Sequence, residues 1–149
     1  EKATELGVSR IVPLVSARTI VRLDTERGEK KRDRWKKLTI TASKQCGRAH
    51  VPKIDKITDY KDMISRIDEY DLVLFAHLGE DTISLKEALS GHSHGRIIVF
   101  IGPEGDFTPE ETELAQRGNC KFISLGSRVL KSDTAGLFVL SALNYEYAL

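Results

Sequence analysis

The 149 residues, 40% hydrophobic and 30% charged, have the size and composition of one globular domain with a core of its own and no room for a second. No apolar run reaches membrane-spanning length and no charged-then-apolar leader is visible, so a membrane protein is excluded and a cytoplasmic address is expected. Cys46 and Cys120 stand far apart, without a Cys-x-x-Cys or Cys/His ligand spacing, so both read as reduced thiols and neither a metal nor a disulfide framework is expected.

The formal net charge of +1 conceals a division of the chain. From Arg10 to Lys53 there are thirteen Lys or Arg against four Asp or Glu; from Ile54 onward there are nine against sixteen. Such a basic segment suits a polyanion, because Lys and Arg make the phosphate contacts, and equally describes a solvated basic helix.

In chain order, Lys2 to Leu6, ending at Gly7, reads as the last turns of a helix with glycine as its stop. A helix this short does not stand alone, so the chain is expected to be part of a longer protein. Ile11 to Val15 and Thr19 to Leu23 are β-branched and pass for two strands or for a strand with an extended loop, with Arg18 and Arg22 on one side of an extended segment. From Gly28, Trp35, Leu38, Ala42 and Cys46 recur at helical spacing among six Lys and Arg residues, which predicts a basic amphipathic helix ending near Gly47. Gly47, Arg48 and Pro52 form a loop in which Arg48 can grip a phosphate or stack on a base.

Thr58 to Ile67 reads as a helix with Asp59 near its start, followed by a buried strand from Asp71 to Ala76 with His77 and Gly79 at its carboxyl end. Ser84 to Leu89 predicts a short helix, and Gly91 to Gly95 a turn whose His92 and His94 make no convincing metal site. Ile97 to Ile101 is a β-branched run closed by Gly-Pro and reads as a strand buried on both faces, as in a parallel sheet. Thr108-Pro109-Glu110-Glu111 carries a capping hydroxyl, Pro at the first helical position and Glu three residues after the cap, so a helix starts at Pro109 and stops at Gly118. Lys121 to Leu125 supplies another strand. Thr134 to Leu149 forms a final helix, apolar around much of its circumference and therefore expected to be buried in the core or against another subunit.

Two loops carry the chemistry. Gly102-Pro103-Glu104-Gly105 follows a strand and leaves the backbone bare, as a flat ligand at the carboxyl edge of a parallel sheet requires; read alone it is also an ordinary strand-to-helix turn. It lacks the Lys and Ser/Thr of a phosphate-binding P-loop, and its neighbours Asp106, Glu110 and Glu111 suggest an acidic rim suited to a cationic ligand. No dinucleotide fingerprint and no Gly-x-Ser-x-Gly elbow occurs.

That loop, the Thr-Pro-Glu-Glu helix start and the run from Leu125-Gly126 through Arg128 and Leu130 to Asp133-Thr134-Ala135 together resemble the ribosomal RNA small subunit methyltransferase E family, among the trefoil-knotted SPOUT methyltransferases. Lys2 to Gly7, Gln45-Cys46-Gly47-Arg48 and Val51-Pro52 extend the resemblance over nearly the whole chain. Departures are Asp106, where the family usually has Gly, Lys131 for Arg, Asp133 for Glu and Lys44 for Glu.

The resemblance implies an α/β fold: a mostly parallel sheet, helices on both faces and a deep C-terminal trefoil knot, in one SPOUT domain over residues 1–149, preceded in the family by a PUA-like RNA-binding domain. It implies transfer of a methyl group from S-adenosylmethionine to N3 of a uridine in 16S ribosomal RNA, a homodimer, and the assembled small subunit as partner. The implied cofactor residues are Ala76, Ile101, Gly102, Pro103, Glu104, Gly105, Leu125, Gly126, Leu130, Thr134 and Ala135; the implied RNA contacts are Arg18, Arg22, Arg48 and Arg128. A uridine N3 must lose its imide proton to attack, so Arg128 is the candidate for stabilising the developing oxyanion, and Glu104 or a backbone carbonyl for accepting the proton; Arg128 reads equally as a structural partner of Asp133 or Glu104. A SPOUT enzyme acting on transfer RNA and a non-catalytic RNA-binding module are the alternatives.

Overall fold

The computed structural model describes residues 1–20, 25–93 and 95–147. In chain order the elements are α1 (Lys2–Glu5), β1 (Arg10–Ile11), β2 (Leu14–Val15), α2 (Thr25–Gln45), β3 (Lys53–Ile54), β4 (Thr58–Asp59), α3 (Tyr60–Ile64) and a 3-10 turn (Ile67–Glu69). There follow β5 (Leu72–Ala76), β6 (Ile83–Ser84), α4 (Leu85–Leu89), β7 (Ile97–Phe100), α5 (Pro109–Arg117), β8 (Lys121–Ser124) and α6 (Ser132–Tyr147).

The main sheet has four strands in the order β6-β8-β5-β7, all parallel. Parallel neighbours need crossovers, and the helices that supply them cover both faces. The side-chain alternation of β5 divides the core accordingly. Leu72 and Leu74 enter one cluster with Leu85, Ala88 and Leu89 of α4 and Val139 and Leu143 of α6. Phe75 enters the other, with Tyr60 and Met63 of α3 and Ala115 of α5. Phe75 is fully buried, with ring centroids of Phe107 and Phe122 at 4.5 and 4.8 Å. Burial also pushes the Cys120 thiol beside this cluster up to about 11, so it stays protonated.

Some expectations need correction. The full burial expected of Ile97 to Ile101 is met only in part: Ile97 and Val99 pack on one core cluster and Ile98 and Phe100 on the other, but β7 is an edge strand and only Phe100 of its four residues is buried. Its apolar run lines an open groove against Val12, Leu14, Gly136 and Leu140. The helix expected from Thr58 starts later, because Thr58 and Asp59 pair with Leu14 and Val15 in a parallel ladder. The Asp59 side chain then accepts from the Lys61 amide at 2.9 Å and opens α3.

The strand expected at Thr19 to Leu23 is absent at Thr19 and Ile20, where the Ser16 amide donates to Thr19 Oγ1 at 2.9 Å in a turn. Val21 to Leu23, including Arg22, lie outside the described residues, as do His94 and the end of the last helix at Ala148 and Leu149. Among the described residues, no helix is long and apolar enough to cross a membrane.

The capping box forms as read: Glu111 Oε2 accepts from the Thr108 amide at 2.9 Å while Thr108 Oγ1 accepts from the Glu111 amide. Glu111 is 7% exposed, and its other oxygen accepts from the Ala17 amide at 2.8 Å, fastening the segment after β2 to the start of α5. We therefore expect Glu111→Ala to lower the unfolding free energy by about 3 kcal/mol, as two charge-assisted hydrogen bonds are lost and their donors left behind; urea titration measures it.

On the other side, Arg10 donates to Asp55 across the β1-β3 pair, with Nε to Oδ2 at 2.6 Å. Burial alone would raise the Asp55 pKa, but the Arg10 hydrogen bond and charge, helped by Lys53, leave it below the usual carboxylate value. A depressed carboxylate stabilises the fold above its unfolded pKa, about 3.9, and loses that contribution as pH falls through the folded value. Asp55→Asn should thus be less stable than the parent at pH 7, with the difference shrinking below about pH 4 in urea titrations at the two pH values.

Candidate functional site

A parallel sheet sends the loops after all its strands to one edge, and here three of them meet. The loops after β5, β7 and β8 enclose a cavity of about 420 Å³. Local backbone explains the glycines: Gly105 and Gly126 have φ of +94° and +112°, conformations costly to any residue with a Cβ. A Cβ built on either would meet no atom within 4 Å, so each glycine borders open space that a ligand can fill. Asp106 also sits at positive φ, +64°, which Asp tolerates better than most residues and which accounts for a glycine at this place in the resembling family.

Side chains fasten the loops to one another. Asp106 Oδ1 accepts from the Phe107 amide at 2.8 Å, and Oδ2 accepts from the Leu78 amide at 3.1 Å. His77 Nδ1 lies 2.8 Å from Asp106 Oδ2, a close polar contact outside good hydrogen-bond geometry. Ser132, at the start of α6, donates from Oγ to the Gly102 carbonyl at 2.6 Å. Arg18 reaches in from the segment after β2 and donates to the Gly105 and Phe107 carbonyls, the latter at 3.3 Å.

Between Gly126 and Ser132 the backbone behaves differently. Among the described residues, Ser127, Arg128, Val129 and Leu130 make no hydrogen bond to any protein group, through backbone or side chain. Both ends of this segment are fixed, while its peptide groups remain available to a ligand.

Of the residues expected to hold a cofactor, Ala76, Ile101, Gly102, Pro103, Glu104, Gly105, Leu125, Gly126, Leu130 and Ala135 line the cavity. Thr134 is not among the lining residues; it is exposed, and its amide and hydroxyl donate to its neighbour Asp133. Among the described residues Arg128 lies at the cavity with its guanidinium unpaired, and neither alternative partner is taken up: Asp133 accepts from the Thr134 amide at 2.7 Å, and Glu104 forms no ion pair with it. Arg18 holds loop carbonyls. Arg48 stands elsewhere, its guanidinium on the Thr4 and Val8 carbonyls at 2.7 and 2.8 Å, gathering the end of α1.

The expected acidic rim is corrected. Glu110 and Glu111 do not line the cavity, because the capping geometry turns Glu111 into the protein; the charged lining is Glu104 and Asp106 with Arg128 and Lys131. Sequence reasoning also missed Leu78, Ser127, Val129 and Ser132 as lining residues. Ser132 had a signal, a hydroxyl at the start of a helix, but its partner across thirty positions had none.

The cavity fits S-adenosylmethionine by its donor set: uncovered glycines and unpaired peptide groups for a planar base, apolar Ile101, Leu125 and Leu130 for covering it, and Asp106 and Lys131 for the charged end. Comparison with known proteins agrees with the geometry. The chain is 30% identical to the ribosomal RNA small subunit methyltransferase E of Bacillus subtilis over 98% of its own length and 59% of the relative's. It is 32% identical to the enzyme of the same name in Rickettsia conorii, over 93% and 54%. It thus spans a little over half the length of these relatives.

Among solved structures, a Legionella pneumophila protein in complex with the bound cofactor SAM superposes with a TM-score of 0.91 at 32% identity, covering 98% of this chain and 59% of that one. A ribosomal RNA small subunit methyltransferase E of Neisseria gonorrhoeae, bound to S-adenosyl methionine, gives 0.88 at 30%, covering 98% and 58%. The family model for the RNA methyltransferase domain matches residues 1–144, and the chain belongs to that family.

Proposed function

We propose that this chain is the catalytic domain of an S-adenosylmethionine-dependent methyltransferase acting on N3 of a uridine in 16S ribosomal RNA. The observation that carries the reading is the unpaired backbone of Ser127 to Leu130 facing the uncovered Gly102 to Gly105 loop in one cavity, in a chain whose close structural relatives were solved with the cofactor.

The cofactor, when bound, supplies an electrophilic methyl group. The protein's part is to position and to handle charge. The peptide groups of the two loops would hold the adenine, with Leu125, Leu130 and Ile101 to cover it. Arg128, unpaired and at the cavity, places a fixed positive charge where O2 or O4 of the uridine becomes negative, and Glu104 on the facing loop accepts the N3 proton. The tie from Ser132 to Gly102 keeps these loops in register, so both groups are held before the substrate arrives.

The remaining elements of the reading are the knot, the dimer and the assembled small subunit. Threading of the segment after β8 past the loop after β7 would explain why two loops distant in sequence share one cavity. A homodimer is supported by α6, which buries only Ala135, Val139 and Leu143 while Phe138 and Tyr145 are 46% and 90% exposed. The cytoplasm is the compartment in which such a substrate is assembled.

Calorimetry should give a dissociation constant for S-adenosylmethionine in the micromolar range, on the order of −6 to −8 kcal/mol; no measurable heat refutes the reading. Arg128→Ala should reduce methyl incorporation into small subunits about 100-fold, the scale for losing one oxyanion stabiliser, with cofactor affinity within about twofold of the parent. A Gly105→Val variant would be a poor probe of binding, since φ of +94° makes a β-branched residue strained as well as obstructive.

A further inference from the structure

We infer that the outward face of α2 is a docking track for the phosphate backbone of the RNA substrate, formed by Lys31, Arg34, Lys37 and Lys44; this deepens the proposed function and rests on it. At 100° per residue, Arg34, Lys37 and Lys44 fall opposite the line through Gly28, Thr39, Ala42 and Ser43, which is buried, and all three are exposed. Lys31 stands at the flank, its ammonium 6.0 Å from the Trp35 ring centroid. From Lys31 to Lys44 the track is about 20 Å long at 1.5 Å per residue.

The distribution of counter-ions separates this face from an ordinary solvated one. The acidic residues of α2 each neutralise a neighbouring cation in its first half: Glu26 pairs with Lys30, Glu29 with Arg32 and Asp33 with Lys36. From Arg34 to Ile54 there is no Asp or Glu at all. Arg34, Lys37 and Lys44 have no ion-pair or hydrogen-bond partner among the described residues. Like charges three or four positions apart on a helix, as at Lys30–Arg34, Lys31–Arg34 and Arg34–Lys37, cost a few tenths of a kcal/mol each. The fold gains nothing from them in return, whereas a polyanion does.

The track also lies within reach of the cavity. Arg18 holds the loop of Gly105 to Phe107, and seven residues later α2 begins, so its first turn is at most about 25 Å of extended chain from the cavity wall. A strand of a few nucleotides is long enough to span that distance, from a base in the cavity to the start of this helix. Charge complementarity favours RNA over a protein partner, and the helix lacks the broad apolar face that a membrane surface needs.

The test uses the 149-residue chain and its Arg34→Gln/Lys37→Gln/Lys44→Gln variant, titrated with a 20-nucleotide single-stranded RNA and with a 20-base-pair RNA duplex across a range of salt. Each phosphate contact on a single strand contributes about 0.7 to the slope of log K against log salt. The variant should lose about 2 from that slope and bind at least tenfold more weakly at low salt, while its helical circular dichroism and S-adenosylmethionine affinity match the parent. Equal slopes and affinities in parent and variant overturn the inference. So does tighter binding of the parent to anionic phosphatidylserine vesicles than to either RNA, lost in the variant. Failure of the parent to bind S-adenosylmethionine would instead strike the proposed function, and the RNA titrations would still decide the role of α2.

Discussion

Parallel order in the main sheet is the constraint on which the site depends. When β5, β7 and β8 run the same way, the loops that follow them must emerge at one edge, and the residues that bind there can come from positions as distant as Ala76 and Ala135. The sequence requirement behind this is burial on both faces, met most fully by β5, whose Leu72 and Leu74 point into one cluster and whose Phe75 fills the other. A polar residue at Leu74 or Phe75 would expose the seam between two cores, and the cavity at its end would lose its floor.

The loops are then tied by a small number of polar contacts that pass through one buried carboxylate. Glu111 caps α5 and holds the Ala17 amide, which places Arg18 next to the carbonyls of the Gly105 loop. Asp106 continues the connection to the Leu78 amide beyond β5, and Ser132 closes it from α6 to Gly102. Each contact satisfies a backbone group that a turn leaves without a partner, so the network stabilises the loops and costs little desolvation. Between these fixed points the protein leaves its binding groups free.

How much of this was legible follows from which interactions are local. The capping box at Thr108 to Glu111, the glycine stops, the strand after Asp71 and the two loops that line the cavity were readable because their causes lie within four or five residues of each other. Edge position was not readable: Ile97 to Ile101 has the same composition whether the next strand exists or not, and only the tertiary order leaves one side of β7 in a groove. The acidic rim failed for a related reason, since the second oxygen of Glu111 is claimed by Ala17, ninety-four positions away. Arg48 illustrates the same limit, its charge satisfied by the Thr4 and Val8 carbonyls, in and just after α1, that no local pattern connects to it.

Under the proposed function, the segment from Ser127 to Leu130 joins recognition to chemistry. In water its peptide groups are solvated, so an unbound loop carries no buried-polar penalty; a ligand that replaces those waters with its own donors and acceptors gains only the net difference, on the order of 1 kcal/mol per hydrogen bond. Affinity must then come from fixing the loop ends beforehand, which Gly126 and the Ser132 to Gly102 bond accomplish by limiting the entropy still to be lost. Arg128 sits in the middle of this same segment. Under the proposed function, a cofactor that takes up these peptide groups is held by the same four-residue stretch that carries the guanidinium. Because that side chain is exposed and solvated, leaving it without a protein partner costs the fold little.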